Sequence, residues 1–310
     1  MNLLGIDIGG TKIAGGVVDG RTGRVLIKDR VPTEAAEGGA AVLARALGLA
    51  RSLADAARTQ GVGAPVAVGV GAGGQIDPDT GVVASATDLL PGWTGTPLRD
   101  AFAGGLGIDA AVDNDVNALA IGECRFGAGV GARHLVFLAL GTGVGGALVV
   151  DGRLYHGARG VGGEVGHLLL FPEGRAASGD DHVLLEDYTS GGALVRHYRA
   201  LGGPADRDGV AVGEEALRDP GGVGARAVAH LGECLGLGLA SLANLFDPER
   251  FVVGGGLADL DEMLLAPARR VLYERALPIV RATPVVRAAL GPDAAVIGAA
   301  SLALPPRIAD

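Results

Sequence analysis

Hydrophobic positions along the chain come in short runs that glycine interrupts. The run at residues 3–8 carries one acidic residue, Asp7, stops at Gly9 and Gly10, and resumes at residues 13–18 ahead of an Asp-Gly pair. That pattern predicts a buried strand, a glycine turn and a returning strand. It recurs: residues 3–21, LLGIDIGGTKIAGGVVDGR, align without a gap with residues 135–153, LVFLALGTGVGGALVVDGR. Turn chemistry alone produces isolated hairpins in a glycine-rich chain. Agreement over the whole segment points instead to two domains on one plan.

Strand and helix patterns alternate around these copies. Residues 24–31, 65–71 and 108–112 read as strands of the first half, with helices at 38–60 and 114–126. In the second half, helices at 191–201, 222–245, 257–275 and 294–304 accompany strands at 251–253 and 285–288. Such alternation predicts an α/β architecture with substantial parallel pairing. A chain of 310 residues exceeds what one compact core usually holds. The expected division is a small α/β domain over 1–113 and a large α/β domain over 114–293. The C-terminal helix, within 294–310, is expected to pack back on the small domain.

Composition narrows the function classes. Hydrophobic residues make up 48% but aromatics only 4%, so the core is aliphatic. A net charge of −9 argues against nucleic acid or a membrane surface as partner. It leaves room for a single nucleotide held by a few local donors. Cys124 and Cys234 stand in apolar helical stretches and read as buried small side chains, without metal, redox or disulfide spacing. No basic leader precedes Asp7, and apolar stretches such as 135–140 are too short to cross a membrane. A cytoplasmic protein is expected.

Two of the glycine turns suit phosphate. After the first strand come Asp7, Ile8, Gly9, Gly10, Thr11 and Lys12. Glycines let backbone N–H groups approach a polyphosphate, Thr11 adds a hydroxyl and Lys12 a cation. An acidic Asp7 makes sense there if it orients Mg2+ through water, because Mg2+ keeps much of its hydration shell. A plain hairpin turn is the competing reading. The second turn, Gly141, Thr142 and Gly143, offers only amides and a hydroxyl, which suits distal phosphates. Neither is a Walker A loop or a dinucleotide fingerprint, since each leads into a strand. A third run, Gly254, Gly255 and Gly256, lies between a strand and a helix, where an adenine can lie on bare backbone or the chain simply turns.

Asp113, Asn114, Asp115 and Asn117 cluster where a strand becomes a helix. Asn114 or Asp115 serves as an N-cap in one reading. In the other, the helix start aims a carboxylate that accepts the proton of an alcohol during phosphoryl transfer. A second polar island holds Glu164 and His167, with Glu186 following. Together these bind a polyol's alternating donors and acceptors; singly they read as solvated surface or structural groups.

With these motifs in order, the chain resembles the ROK family (repressors, open reading frames, kinases) of the actin/hexokinase/heat-shock ATPase superfamily. The match rests on DIGGTK at 7–12, DNDVNA at 113–118, LGTGVGGAL at 140–148, GGEVGH at 162–167, LGLASLANLFDPE at 237–249 and VVGGGL at 252–257. The resemblance implies a two-domain ribonuclease-H-like fold, that of the actin-like ATPases, with an interdomain active-site cleft closing over sugar and MgATP. It implies Asp115 as catalytic base and Asn114, Glu164, His167 and Glu186 as sugar ligands, with the glycine runs as nucleotide cradle. Glucose is the expected substrate, with N-acetylhexosamines, mannose or fructose as alternatives. A homodimer or homotetramer is the expected assembly.

Two departures qualify the match. The family's zinc-binding CxCGxxGCxE segment corresponds to residues 177–186, where Ala177, Gly179 and Leu184 replace cysteines. No tetrahedral sulfur site forms from these, so no structural zinc is expected, and losing that clamp is expected to loosen His167 and Glu186. His182, Asp180 and Asp181 read as a charged surface loop. The family's PNLPGW stretch is Thr87 to Trp93 here, with Leu89 in place of the Asn. A polyphosphate-using kinase, a DNA-binding regulator and a catalytically idle sugar binder are the competing functions. No winged-helix stretch precedes the first loop, which speaks against the regulator, and Asp7, Lys12 and Asp115 speak against the idle protein.

Overall fold

The computed structural model describes residues 1–87, 90–170 and 183–305. In chain order its elements begin β1 (Asn2–Ile8), β2 (Lys12–Asp19), β3 (Val25–Pro32), α1 (Gly39–Thr59), β4 (Ala67–Ala72), β5 (Gln75–Ile76), β6 (Val83–Ser85), α2 (Leu98–Leu106), β7 (Asp109–Asn114) and α3 (Asp115–Phe126). They continue with β8 (Leu135–Leu140), β9 (Val144–Val150), β10 (Arg153–Leu154), α4 (Leu185–Thr189), α5 (Gly191–Ala200), α6 (Gly209–Arg218), α7 (Val223–Phe246), β11 (Arg250–Gly254), α8 (Glu262–Arg275), β12 (Val285–Arg287) and α9 (Ala294–Leu302). The chain divides into two units. One comprises Met1–Gly131, Gly152–Gly162 and Ala289–Asp310; the other comprises Ala132–Asp151 and Gly163–Ala288.

In the first unit the sheet order is β3-β2-β1-β4-β7. The first three strands are antiparallel, and β4 and β7 run parallel to β1. Strand β1 is apolar on both faces because both are covered: α1 packs on one side of the sheet and α9 on β1, β2 and β4. Helix α1 buries Val42, Ala46, Leu49, Ala50, Leu53 and Ala57, the spacing of a single helical stripe. Helix α9 instead lies between the sheet and α3, with Val296, Ile297, Ala299 and Ala300 buried. It sits so close that a Cβ on Gly69 would overlap the carbonyl of Ala299, and one on Gly5 that of Val296. The glycines inside β1 and β4 are therefore packing residues.

A buried carboxylate ties this unit together. Glu123 on α3 is 1% exposed. It accepts hydrogen bonds from the amides of Ala128 at 2.7 Å, Ala289 at 2.9 Å and Leu290 at 3.0 Å. These amides would otherwise be orphans in the turn after α3 and in the approach to α9.

The second unit repeats the plan. Strands run in the order β9-β8-β11-β12, with β8 and β9 antiparallel and β11 and β12 parallel to β8. The repeated hairpins differ in one respect. Ile8 pairs with Ile13 around residues 9–12, whereas Leu140 pairs with Val144 around residues 141–143. The ungapped sequence match therefore conceals a one-residue shift in pairing between the two copies. Helix α7 forms the core, with α4, α5, α6 and α8 packed on it. It matches the helix expected at 222–245 but, unlike the short apolar stretches considered there, is long and apolar enough to cross a membrane by length and composition. Buried Val228, Leu231, Leu235, Leu239 and Leu242 mark it as the central helix of this unit.

Several expectations are adjusted. The boundary expected after residue 113 falls inside the first unit, because α3 packs on α9 and β4. The helix expected at 257–275 is a 3-10 turn over Gly256–Leu260, then Asp261 with φ of +48°, then α8. Helices α2 and α6 were not read from the sequence. In α2, Gly104 and Gly105 obscure a pattern that rests on buried Leu98 and Phe102. Cys234 is buried, but Cys124 is only half-buried.

Gly69→Ala is expected to lose ~1–3 kcal/mol of unfolding free energy, the usual cost of overpacking, because backbone has to move. Gly48→Ala, in α1 with nothing within 4 Å of the added Cβ, should gain ~0.5–1 kcal/mol. Urea unfolding of both variants reads the difference.

Candidate active site

The first unit assembles its acidic residues through strand register. Asp7 on β1 pairs with Gly71 on β4, and Gly71 pairs with Asp113 on β7. A side chain at Gly71 would come within 3.8 Å of an Asp7 carboxylate oxygen and 3.5 Å of the Asp115 Cα. The glycine leaves room beside the Asp7 carboxylate and the backbone of Asp115.

The start of α3 settles which residue caps. The Asn114 side-chain oxygen accepts from the amides of Val116 at 2.8 Å and Asn117 at 3.3 Å, and its Nδ2 donates to the Gly74 carbonyl at 3.0 Å. Asn114 is the N-cap. Asp115, at the first helical position, uses one oxygen to accept from the Val116 amide at 2.9 Å. Behind them, buried Asp113 accepts from the Asn114 amide at 2.8 Å and from Asn117 Nδ2 at 2.7 Å. Its second oxygen pairs with His156 Nε2 at 2.7 Å. That bond to Asp113 raises the His156 pKa, against burial, which lowers it. Neither Asp113 nor His156 was singled out as functional in the sequence, because their partnership joins residues 43 positions apart.

The two carboxylates share a charge problem. Asp7 is pushed up to about 7, first by burial, then by the negative charge of Asp115, with Lys12 pulling the other way. Asp115 is also raised, by burial, while the amides at the start of α3 and Asn114 pull it down. A site that strains to hold its negative charge, with a lysine beside it, fits a divalent cation at Asp7 on donor chemistry.

The loop at residues 9–12 is braced from below. Gly9 N–H donates to the Lys12 carbonyl at 3.1 Å. Buried Thr33 donates its hydroxyl to the Gly9 carbonyl at 2.7 Å and its amide to the Thr11 carbonyl at 3.0 Å. Gly10, Thr11 and Lys12 stay exposed. Thr33 went unnoticed because a threonine after a strand has no distinctive sequence pattern.

In the second unit, a cavity of about 1090 Å3 gathers Gly141, Thr142, Gly191, Gly192, Arg196, Asp208 and Gly256. Two of the three predicted glycine runs thus reach one cavity. The N-terminal turns of α5, capped by Ser190, and of α6, capped by Asp208, lie in its wall. Helix N-termini favour anions. Of the third run only Gly256 lines the cavity. Gly254 packs against Phe137 and Ala288, and Gly255, with φ of +84°, makes the tight turn against Leu140.

The remaining predicted ligands also lie in this unit. Glu164 and His167 are exposed on the turn Val165–His167 and its preceding residue, with His167 Nδ1 4.0 Å from the Glu164 carboxylate. Helix α4 packs on that turn, bringing in Glu186. Glu186 is not loose as expected: its carboxylate accepts from the Val144 amide at 2.7 Å, directly behind Gly143. Residues 177–182, including Asp180, Asp181 and His182, and Leu89 lie outside the described residues.

Because the Asp7 pKa is raised, the folded chain holds a proton that the unfolded chain has already released. That contribution is whole below the ordinary value of 3.8 and is lost as pH rises to about 7. Asp7→Asn removes the titration. In metal-free buffer it should gain ~1–3 kcal/mol on the wild type between about pH 5 and about pH 8. Urea unfolding at both pH values measures it; a constant difference contradicts the charge assignment.

The family model for the ROK family matches residues 3–305. The chain is 37% identical to a glucokinase of Streptomyces coelicolor, over 98% of each chain. Among solved structures, the ROK hexokinase of Thermus thermophilus superposes with a TM-score of 0.77 at 35% identity, over 97% of each chain. A ROK family glucokinase of Streptomyces griseus, in complex with glucose and AMPPNP, gives 0.77 at 33% identity, over 97% of this chain and 99% of its own. The expected actin-like ATPase architecture therefore holds, and the chain belongs to the ROK family.

Proposed function

We propose that the protein is an ATP-dependent hexose kinase that converts glucose to glucose 6-phosphate. The observation that carries this reading is Asp115, a carboxylate of raised pKa at a helix start whose capping is done by its neighbour. The full-length likeness to glucokinases supports the sugar and the donor.

The chemistry follows from the groups in place. The cavity between α5 and α6 receives the adenosine part of ATP, with Gly256 as bare backbone under the base. Amides and hydroxyls of the loops at 9–12 and 141–143, together with Lys12, hold phosphate oxygens. Asp7 would hold Mg2+, which would supply neutralisation of the charge on the transferring phosphoryl group. Glu164, His167 and Glu186 bind sugar hydroxyls. Asp115 accepts the proton of the sugar 6-hydroxyl as its oxygen attacks the γ-phosphorus. Burial makes Asp115 a better proton acceptor than an ordinary aspartate. Asp113, held by Asn117 and His156, fixes the strand end from which Asn114 and Asp115 project.

In a coupled assay over glucose, mannose, fructose and N-acetylhexosamines, ADP release should depend on sugar and be fastest with glucose. Asp115→Asn should lower kcat by ~10²–10⁴-fold, the usual worth of a general base, while leaving the KM for ATP nearly unchanged. Turnover retained in the variant would remove Asp115 from the role.

A further inference from the structure

We propose that His197, His230 and Cys234 form a binding site for one transition-metal ion of the zinc class, on the seam between α5 and α7. One ligand atom from each residue lies within 4.8 Å of the other two. His230 and Cys234 are four residues apart on α7 and share a face of that helix. His197 reaches them from α5, which packs on α7. A tetrahedral zinc site, with metal–nitrogen distances of ~2.0–2.1 Å and a metal–sulfur distance of ~2.3 Å, sets its ligand atoms about 3.5 Å apart.

The surroundings are those of a ligand set. His197 Nε2 lies 3.0 Å from the Tyr188 carbonyl. Donating its proton there leaves the lone pair on Nδ1, the tautomer and orientation that a coordinated imidazole needs. The two imidazoles meet edge to face, 4.6 Å between centroids and 84° between planes. Around them, Glu233 places a carboxylate oxygen 3.6 Å from His230 Nδ1 and is itself held by Arg270 at 2.6 Å. Core packing alone accounts for a buried Cys234; it does not account for two imidazoles converging on its sulfur.

The donor set selects the ion. A thiolate with two imidazoles favours zinc or cobalt over Mg2+, so this site is chemically distinct from the one at Asp7. Binding releases the Cys234 proton to solvent. The ion enters beside His230, whose side chain is 45% exposed, and three protein ligands leave a fourth position for water. The site also lies apart in sequence from residues 177–186, where the family's cysteines are missing. It joins α7 to α5, the helix whose first turn lines the cavity.

Cobalt titration of chelator-stripped, reduced protein tests the proposal. One equivalent of Co2+ should give a thiolate-to-cobalt charge-transfer band and strong visible bands of a tetrahedral ion, both erased by Zn2+. Cys234→Ser should lose the charge-transfer band and Cys124→Ser should keep it. His230→Gln, an exposed substitution that cannot compromise the core, should weaken Co2+ binding at least ~10-fold. Kinase activity should persist in all three variants. No charge-transfer band in folded wild-type protein, a band that survives Cys234→Ser, or unchanged cobalt affinity in His230→Gln would each overturn the site.

Discussion

The site in the first unit depends on a division of labour at the start of α3. A helix N-terminus presents unpaired amides, and an acidic residue placed there normally spends itself on them. Asn114 takes that duty, accepting from Val116 and Asn117, and Asp113 braces the turn from beneath through Asn117 and His156. Asp115 is relieved of the cap and keeps its carboxylate at the helix start, steadied by the Val116 amide and by Asn114. The sequence Asp-Asn-Asp thus divides into a brace at Asp113, a cap at Asn114 and the carboxylate proposed as base at Asp115.

Strand register supplies the second constraint. The parallel pairing of β1, β4 and β7 lines up Asp7, Gly71 and Asp113 in one row, and Gly71 contributes by having no side chain. Burial raises the cost of ionising both carboxylates, and the negative charge of Asp115 adds to it at Asp7. That cost makes a cation and a polyphosphate-bound metal welcome at Asp7. It also keeps Asp115 a ready proton acceptor. Scaffold and chemistry are connected here, since α9 presses on Gly5 and Gly69 of the same strands that carry the row.

Much of this was legible in the sequence, and the reasons differ by residue. The hairpins at β1–β2 and β8–β9 announced themselves as a repeat because apolar runs around glycine turns are strong local signals. Asp7, Lys12, Asn114 and Asp115 stood out as polar residues at the ends of apolar strands. Which of Asn114 and Asp115 capped the helix could not be read, because either side chain can accept the same amides. The partners His156 and Thr33 were silent, since each acts through a contact with a distant segment. Helix α6 was hidden by a polar, glycine-flanked stretch whose cap, Asp208, becomes meaningful only when Ala211 donates to it. The cluster of His197, His230 and Cys234 was equally invisible: its members come from two helices and carry no motif spacing.

The central claim is that a carboxylate at position 115 acts by taking a proton. Chemical rescue tests it most directly: Asp115→Gly, assayed with saturating glucose and MgATP, is supplied with formate as a diffusible carboxylate, and sugar phosphate is read by phosphorus NMR. The account predicts that glucose 6-phosphate formation returns in proportion to formate concentration, with chloride having no such effect. A variant that still binds glucose but shows no recovery across the formate series would contradict it.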